Sequence, residues 1–425
     1  MSAILSRKVP RRLTNLVVDR MAQEPVIVLE GPRTVGKSTL LATLAKRFGV
    51  GVVDLDDLAT RDAIRADPAL FVRSLPGPVL IDEFQHAPAI LDAIKAELNA
   101  DLRPGRFVIT GSTRYSTTPT FAQALTGRAH RIAVSPLSQG EIFEQQEDFA
   151  KVLMNDPAFL VEPGASQIQR ESYVRRALAG GFPLALARSN SHERARWFDD
   201  YVQLVIEREV LDITRVRQRR MLPELLRGLA AQSGQILNIS RVASDLQMEK
   251  STAENYVKLL EAVFLIQRLP AWGTTLGSRV AAAPKVHLVD SGLAGRLQRL
   301  TEEKLLAASA AALAEFGQIL ETFVTSEIAK QLDWLEEPVV RGHYRTHTGD
   351  EVDLVVERSD GKVACVEVKA GSRVPAEALQ SMIRLKRRLG SNFLGGATLY
   401  TGARSYTYED RIHIVPIERL WQPIP

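Results

Sequence analysis

Three groups of residues in this chain have the types and spacing for phosphate and metal chemistry. The first is Gly31-Pro32-Arg33-Thr34-Val35-Gly36-Lys37-Ser38-Thr39, two glycines framing four residues and followed by lysine and a hydroxyl. In such a loop the backbone N–H groups converge on phosphate oxygens, Lys37 reaches the terminal phosphates and Ser38 holds Mg²⁺. The second is Asp82-Glu83, at the end of the apolar run Val79-Leu80-Ile81. Asp82 can hold the Mg²⁺ shell, and Glu83 can orient or deprotonate an attacking water. The third is the stretch "GDEVDLVVERSDGKVACVEVKAG", in which Asp353, Glu367 and Lys369 stand among valines and leucines.

Each group depends on elements that hold it. A phosphate loop needs a strand before it and a helix after it, and Val26 to Leu29 and "STLLATLAKRFG" have the corresponding patterns. A further apolar run, "RFVITGSTR", ends in Thr110 and Ser112. Ligands meet the carboxyl ends of strands in doubly wound sheets, so Ser112 is placed to sense a γ-phosphate. In the third group "RSDGK" is a turn signal, which makes the flanking runs a hairpin. Alternation along the second strand puts Glu367 and Lys369 on one face and Val366 and Val368 on the other. Asp353 then joins them at one edge. The stretch "GQILETFVTSEIAKQL" reads as a helix with an apolar stripe of Ile319, Leu320, Phe323, Val324 and Ile328, flanked by Glu321 and Glu327. A carboxylate beside a buried stripe needs a partner, which the hairpin could supply.

At 425 residues the length favours about three domains, and 45% hydrophobic residues suffice for a core in each. No apolar run approaches the ~18 residues of a membrane span. The N-terminal residues lack an apolar stretch of secretory length. With a single cysteine, Cys365, expected to be buried, the chain reads as cytoplasmic. The net charge of +4 permits a nucleic-acid partner without demanding one. Basic clusters at Arg7 to Arg12, Arg215 to Arg220 and Arg384 to Arg388 are either solvated faces or phosphate contacts.

From Glu141 to Ser233 the pattern is helical and charged, as in a lid and connector. Beyond it, Ser240 is the expected cap of a short helix, Arg241 to Leu246. Ser251 is the expected cap of a longer one with Val257, Leu259, Leu260 and Val263 as its apolar stripe. Two helices across a short turn, followed by "FLIQRLPAW", read as a winged helix. The second helix offers Lys250, Asn255 and Lys258 but also Glu249, Glu254 and Glu261. A major-groove reader is normally more basic, so packing or subunit contact is the competing role.

"GPRTVGKST", "LIDEFQ", "ITGS", "LTGRA" and "PLSQGE" resemble the AAA-type P-loop ATPases that carry an uncharacterised C-terminal domain, as do "GGFPLAL", "YVQLVIEREVLDI" and "PKVHLVDSGLAGRL". Thr34 and Ser38 replace the usual Gln and Thr and keep the chemistry, and Arg208-Glu209 stands where members usually carry Arg-Asp. The resemblance implies ATP and Mg²⁺. It also implies a homo-oligomeric ring, such as a hexamer, in which an arginine of one subunit reaches the phosphates of the next. Arg128 is the candidate finger and Arg114 the second; a local ion pair is the alternative role for Arg128. The last stretch resembles PD-(D/E)xK nucleases, Holliday-junction resolvases in particular. That implies Asp353 and Glu367, with Glu321 or the Val368 carbonyl, coordinating one or two Mg²⁺, and Lys369 steadying the attacking water or the transition-state charge.

The expected fold is α/β: a P-loop AAA-type ATPase core over 1–140, a helical lid and connector over 141–235, a winged helix over 236–300, and a restriction-endonuclease-like α/β domain over 301–425. The expected function is an Mg²⁺-dependent ATPase coupled to a nuclease-like domain that acts on branched or duplex DNA. The alternatives are a nucleotide-switched binding protein whose nuclease-like domain is silent, in a defence or toxin–antitoxin role, and an ATPase that handles a protein partner.

Overall fold

Strands that read as unbroken apolar runs are the starting point of the fold, because such runs belong in sheets covered on both faces. A computed structural model describes residues 8–114, 119–210, 220–273, 275, 282–307 and 309–424. Five strands, β1 (Val26–Glu30), β2 (Val52–Asp54), β3 (Val79–Asp82), β4 (Phe107–Gly111) and β5 (Ala129–Ala133), form a parallel sheet in the order β2-β3-β4-β1-β5. All residues of β1, β3 and β4 are buried. The helix Lys37–Phe48 follows β1 directly and lays Leu40, Leu41 and Leu44 on the sheet. The phosphate loop, Asp82 and Ser112 therefore emerge at the same edge, the carboxyl ends of neighbouring strands.

A middle, mainly helical region follows. It includes the helix Ser191–Val205, and then a helix, turn and helix, Ile239–Asp245 and Lys250–Ala262. Strands β6 (Gln235–Ile236), β7 (Ile266–Leu269) and β8 (Lys285–Leu288) form an antiparallel sheet in the order β6-β8-β7. The caps differ from expectation. Asn238, not Ser240, caps the first helix, its Oδ1 accepting from Arg241 N at 3.0 Å. Ser251 lies inside the second helix, whose N-cap position is Glu249 with no side-chain cap bond. An amide acceptor one residue ahead of the apolar run fits the N-cap geometry as well as a hydroxyl does. The buried face of that second helix is Ala253, Tyr256, Val257 and Leu260, with Leu259 only half-buried.

The C-terminal region is a six-stranded mixed sheet in the order β13-β14-β12-β11-β10-β9. Its strands are β9 (Val340–Arg345), β10 (Glu351–Glu357), β11 (Val363–Lys369), β12 (Phe393–Tyr400), β13 (Tyr406–Glu409) and β14 (Ile412–Pro416). The expected hairpin is present: β10 and β11 pair antiparallel, with Leu354 opposite Val366. Period-2 alternation sorts the sides. Leu354, Val356, Ala364 and Val366 pack toward the long helix Ala310–Asp333, and Val363 and Cys365 toward the helix Gln380–Leu389. One hydrophobic core runs through all three regions, from Ile27 and Leu29 through Tyr173, Leu226 and Leu260 to Phe316 and Leu354. Among the described residues no helix is long and apolar enough to cross a membrane.

Two ends of the long helix bind different parts of the chain. Glu327 accepts from Gln139 N at 2.7 Å and from Lys330 Nζ at 2.6 Å, so its partners lie outside the hairpin. Gln331 Oε1 accepts from Ala150 N at 3.0 Å. Asp290, for which the sequence offers no role, accepts from Leu293 N at 3.0 Å and from Gly181 N at 2.7 Å. It thus caps the helix Ser291–Leu297 and ties it to the "GGF" turn.

Candidate functional site

The loop before the helix Lys37–Phe48 is shaped by backbone conformation. Gly36 sits at φ 97° as the N-cap, a left-handed position that glycine adopts without penalty. Thr34, also left-handed at φ 62°, turns the chain. Lys37 is 4% exposed, and its ammonium donates to the carbonyls of Gly31 at 2.9 Å and Pro32 at 2.8 Å. Burial lowers its pKa, against the opposing pull of Glu83 and Asp82. A buried ammonium held only by neutral carbonyls favours an anion beside it. The adjoining cavity, about 350 Å³, is lined by Thr34 to Thr39, Arg11 and Glu83. The observed lysine and loop therefore fit a nucleotide phosphate chain with its Mg²⁺.

The strand ends add polar groups in register. The Asp82 carboxylate accepts from Thr110 Oγ1, and Thr110 Oγ1 accepts from Glu83 N at 3.1 Å. Glu83 itself is left-handed, φ 52° and ψ 51°, a conformation that costs roughly 1–2 kcal/mol outside glycine. Gln85 donates to both the Glu83 carboxylate and Ser112 Oγ, the latter at 2.9 Å. Ser112 Oγ in turn donates to Glu209 Oε2 at 2.9 Å, and Glu209 also pairs with Arg33 of the loop. Lys37, Asp82, Glu83, Ser112 and Arg33 thus converge.

Three residues of this network have no role that the sequence alone assigns. Arg11 donates to Val35 O and Ser135 O, each at 2.7 Å, and pairs with Glu141 at 3.0 Å, so it braces the loop from outside. It lies in a basic cluster whose pattern indicates only surface charge. Gln85 lies inside "LIDEFQ", where its type alone carries no role. Glu209 arrives from 97 residues beyond Ser112, and the resemblance marks its position beside Arg208 without giving it a role.

The arginines expected to act between subunits have local partners. Arg128 donates to the Lys95 carbonyl at 3.5 Å, not to a carboxylate. Arg114 holds its guanidinium 5.1 Å from the Phe264 ring centre, and its backbone N–H donates to Ala262 O at 2.8 Å. Of the basic clusters, Arg7 and Arg215 to Arg219 lie outside the described residues. In the third, Arg384 pairs with Asp350 and Lys386 with Glu409 at 3.1 Å. Arg388 donates to the Tyr344 hydroxyl at 3.4 Å.

The C-terminal carboxylates do meet. Asp353 Oδ2 accepts from Val368 N at 3.0 Å, and Glu367 Oε1 from Lys369 Nζ at 2.6 Å. Glu321 faces them from the long helix, and all four line one cleft of about 730 Å³. The centre of the cluster is taken by a residue the sequence reading passed over. Lys285 Nζ lies 2.8 Å from Glu321, 2.9 Å from Glu351 and 3.0 Å from Asp353. Among the described residues no group of three or more His, Cys, Asp or Glu side chains is arranged to hold a metal ion. With the Lys285 ammonium set within 3.0 Å of three of the carboxylates, the cluster does not fit the Mg²⁺ that a nuclease requires. Burial, then Asp353, pushes the Glu367 carboxyl up to about 8; burial and Asp353 also raise Glu321.

Three segments of the chain match known domain families. Residues 23–143 match the model of an AAA domain, 170–304 a domain of unknown function (DUF8612), and 316–420 another (DUF4143). The uncharacterized proteins Rv2008c of Mycobacterium tuberculosis and Mb2031c of Mycobacterium bovis are each 24% identical over 397 residues, 93% of this chain and 81% of theirs. Among solved structures, the Walker-type ATPase PABY2304 of Pyrococcus abyssi aligns at 14% identity over 68% of this chain and 96% of its own, with a TM-score of 0.38. The chain is thus similar to an AAA domain over residues 23–143 and to a domain of unknown function over residues 316–420.

Proposed function

We propose that this protein is an Mg²⁺-dependent ATPase of the AAA type, whose nucleotide state acts on a C-terminal domain that contacts DNA. The observation that carries the ATPase reading is the buried Lys37 ammonium, held by loop carbonyls beside Asp82 and Glu83. The loop N–H groups and Lys37 would bind the phosphates, and Ser38 and Asp82 would hold the cation. Mg²⁺ neutralises developing phosphate charge when bound. Glu83 would orient the attacking water and accept its proton, while Ser112 reports on the terminal phosphate. Assembly into a homo-oligomer would place Arg128 toward a neighbouring subunit's nucleotide.

For the C-terminal domain two roles compete, cutting through Asp353, Glu367 and Lys369, or binding without cutting. Lys285 at the centre of the carboxylates favours binding. ATP turnover measured with Mg²⁺, with and without branched, duplex and single-stranded DNA, tests both roles when the DNA is then run on a gel. Stimulation without cuts supports a DNA-binding switch. Stimulation with cuts that Glu367→Ala abolishes restores the nuclease. Turnover that no DNA changes points to a protein partner, and turnover that survives Lys37→Ala removes the ATPase reading.

A further inference from the structure

The C-terminal carboxylates are answered by a lysine from another part of the chain. Lys285 opens β8, in the small sheet of the middle region, and its side chain is 1% exposed. Its ammonium donates to Glu321 on the long helix at 2.8 Å and to Asp353 on β10 at 3.0 Å, and it lies 2.9 Å from Glu351 of β10 as an ion pair. Burial alone would drive the proton off; Asp353, Glu321 and Glu351 together overcome it and hold the ammonium charged. A buried cation bonded to carboxylates from two elements does the electrostatic work of a divalent ion with one charge fewer.

The remaining groups of the cluster fit that shortage of positive charge. Lys369 on β11 pairs with Glu367, and Arg345 on β9 approaches Glu351 at 3.6 Å. Glu367 is 7% exposed, and its Oε2 is buried with no hydrogen-bond partner among the described residues. That residue lines the same cleft. A buried carboxyl oxygen without a partner leaves the cluster with more acceptors than donors.

We infer that Lys285 stands where a divalent ion would otherwise bind, so that the chain closes its nuclease-like site with a cation of its own and locks the middle region to the C-terminal domain. This deepens the reading of that domain as one that binds without cutting. Losing the ammonium leaves Glu321, Glu351 and Asp353 without the counter-ion they share, beside Glu367 in the same cleft, and a hard, oxygen-seeking cation is the natural replacement.

The test is Mn²⁺ titration followed by electron paramagnetic resonance, with no nucleotide present. Wild-type protein is expected to show no Mn²⁺ site that Asp353→Asn removes. Lys285→Met is expected to gain one Mn²⁺ per chain, and Lys285→Met with Asp353→Asn to lose it again. Lys285→Gln, which can still hydrogen-bond the carboxylates, takes its place if the methionine variant does not fold. A wild-type Mn²⁺ site sensitive to Asp353→Asn overturns the inference, as does a folded Lys285 variant that gains no site. Wild-type binding of Mn²⁺ without DNA cleavage would sink this inference alone, whereas cleavage would sink the binding-only reading as well.

Discussion

The residue scale is where the two charged sites of this chain part company. Lys37 and Lys285 are both buried lysines, but the first rests on neutral carbonyls and the second on carboxylates. Lys37 is therefore open to an anion from outside, and Lys285 is already answered from within. Replacing Lys37 with alanine removes a charged hydrogen bond to the phosphates, worth about 1.5–3 kcal/mol, so nucleotide affinity should fall roughly 10- to 100-fold in a calorimetric titration. Glu83→Gln keeps the shape and the hydrogen bond from its backbone N–H to Thr110 Oγ1 but loses the base. Its ATP turnover should drop by about 10²–10⁴-fold with binding retained, as a steady-state assay beside a binding titration will show.

At the scale of elements, the tie between the "GGF" turn and the helix Ser291–Leu297 is a sensitive point. Gly180 has φ 67° and ψ −159°, a region that is essentially glycine's own, and a Cβ there would lie 2.1 Å from Asp290 Oδ1. Gly180→Ala should cost at least about 2 kcal/mol and lower the melting temperature of the folded chain, whereas Gly49→Ala, whose added Cβ meets nothing within 4 Å, should cost less. The segment after β5 gives a pH-dependent counterpart. Burial, then Glu327, pushes Glu147 up to about 8, while Ser138 Oγ and Gly140 N hold it at 3.0 and 2.7 Å. The folded form thus keeps a proton that the unfolded chain releases near pH 4.5. Its contribution to stability is whole below that pH and is lost as pH rises through the folded value. Melting temperatures between about pH 5 and 8.5 should fall, and Glu147→Gln, which retains both hydrogen bonds without titrating, should flatten the fall.

For the molecule as a whole, a single core shared by the three regions means that the nucleotide site and the C-terminal sheet are mechanically joined. Glu209 contacts the phosphate loop through Arg33, and Lys285 contacts the C-terminal carboxylates, so the middle region touches both sites. If Arg128 serves a neighbouring subunit, Arg128→Ala mixed with Glu83→Gln should recover ATP turnover at interfaces that pair an intact arginine with an intact Glu83. Turnover that stays at the sum of the two separate mutants, at every mixing ratio, counts against that role. Its hydrogen bond to the Lys95 carbonyl is weak enough at 3.5 Å to be exchanged.

Local chemistry made much of this legible from the sequence. Gly36-Lys37-Ser38 requires a particular turn, Asp82-Glu83 ends a strand whose apolar run is unbroken, and Asp360-Gly361 sets a hairpin whose pleat puts Glu367 and Lys369 on one face. These features depend on neighbours a few residues away, so spacing suffices to read them. The partners of the charged groups do not. Glu209 reaches Ser112 across 97 residues, Lys285 reaches Asp353 across 68, and Glu327 turns to Gln139 across 188. A buried charge is neutralised by whatever the packed chain brings within about 3 Å, and residue type alone cannot say which partner that will be. The sequence determined that the C-terminal edge would carry two carboxylates and a lysine; only the tertiary structure decided that a second lysine would sit among them.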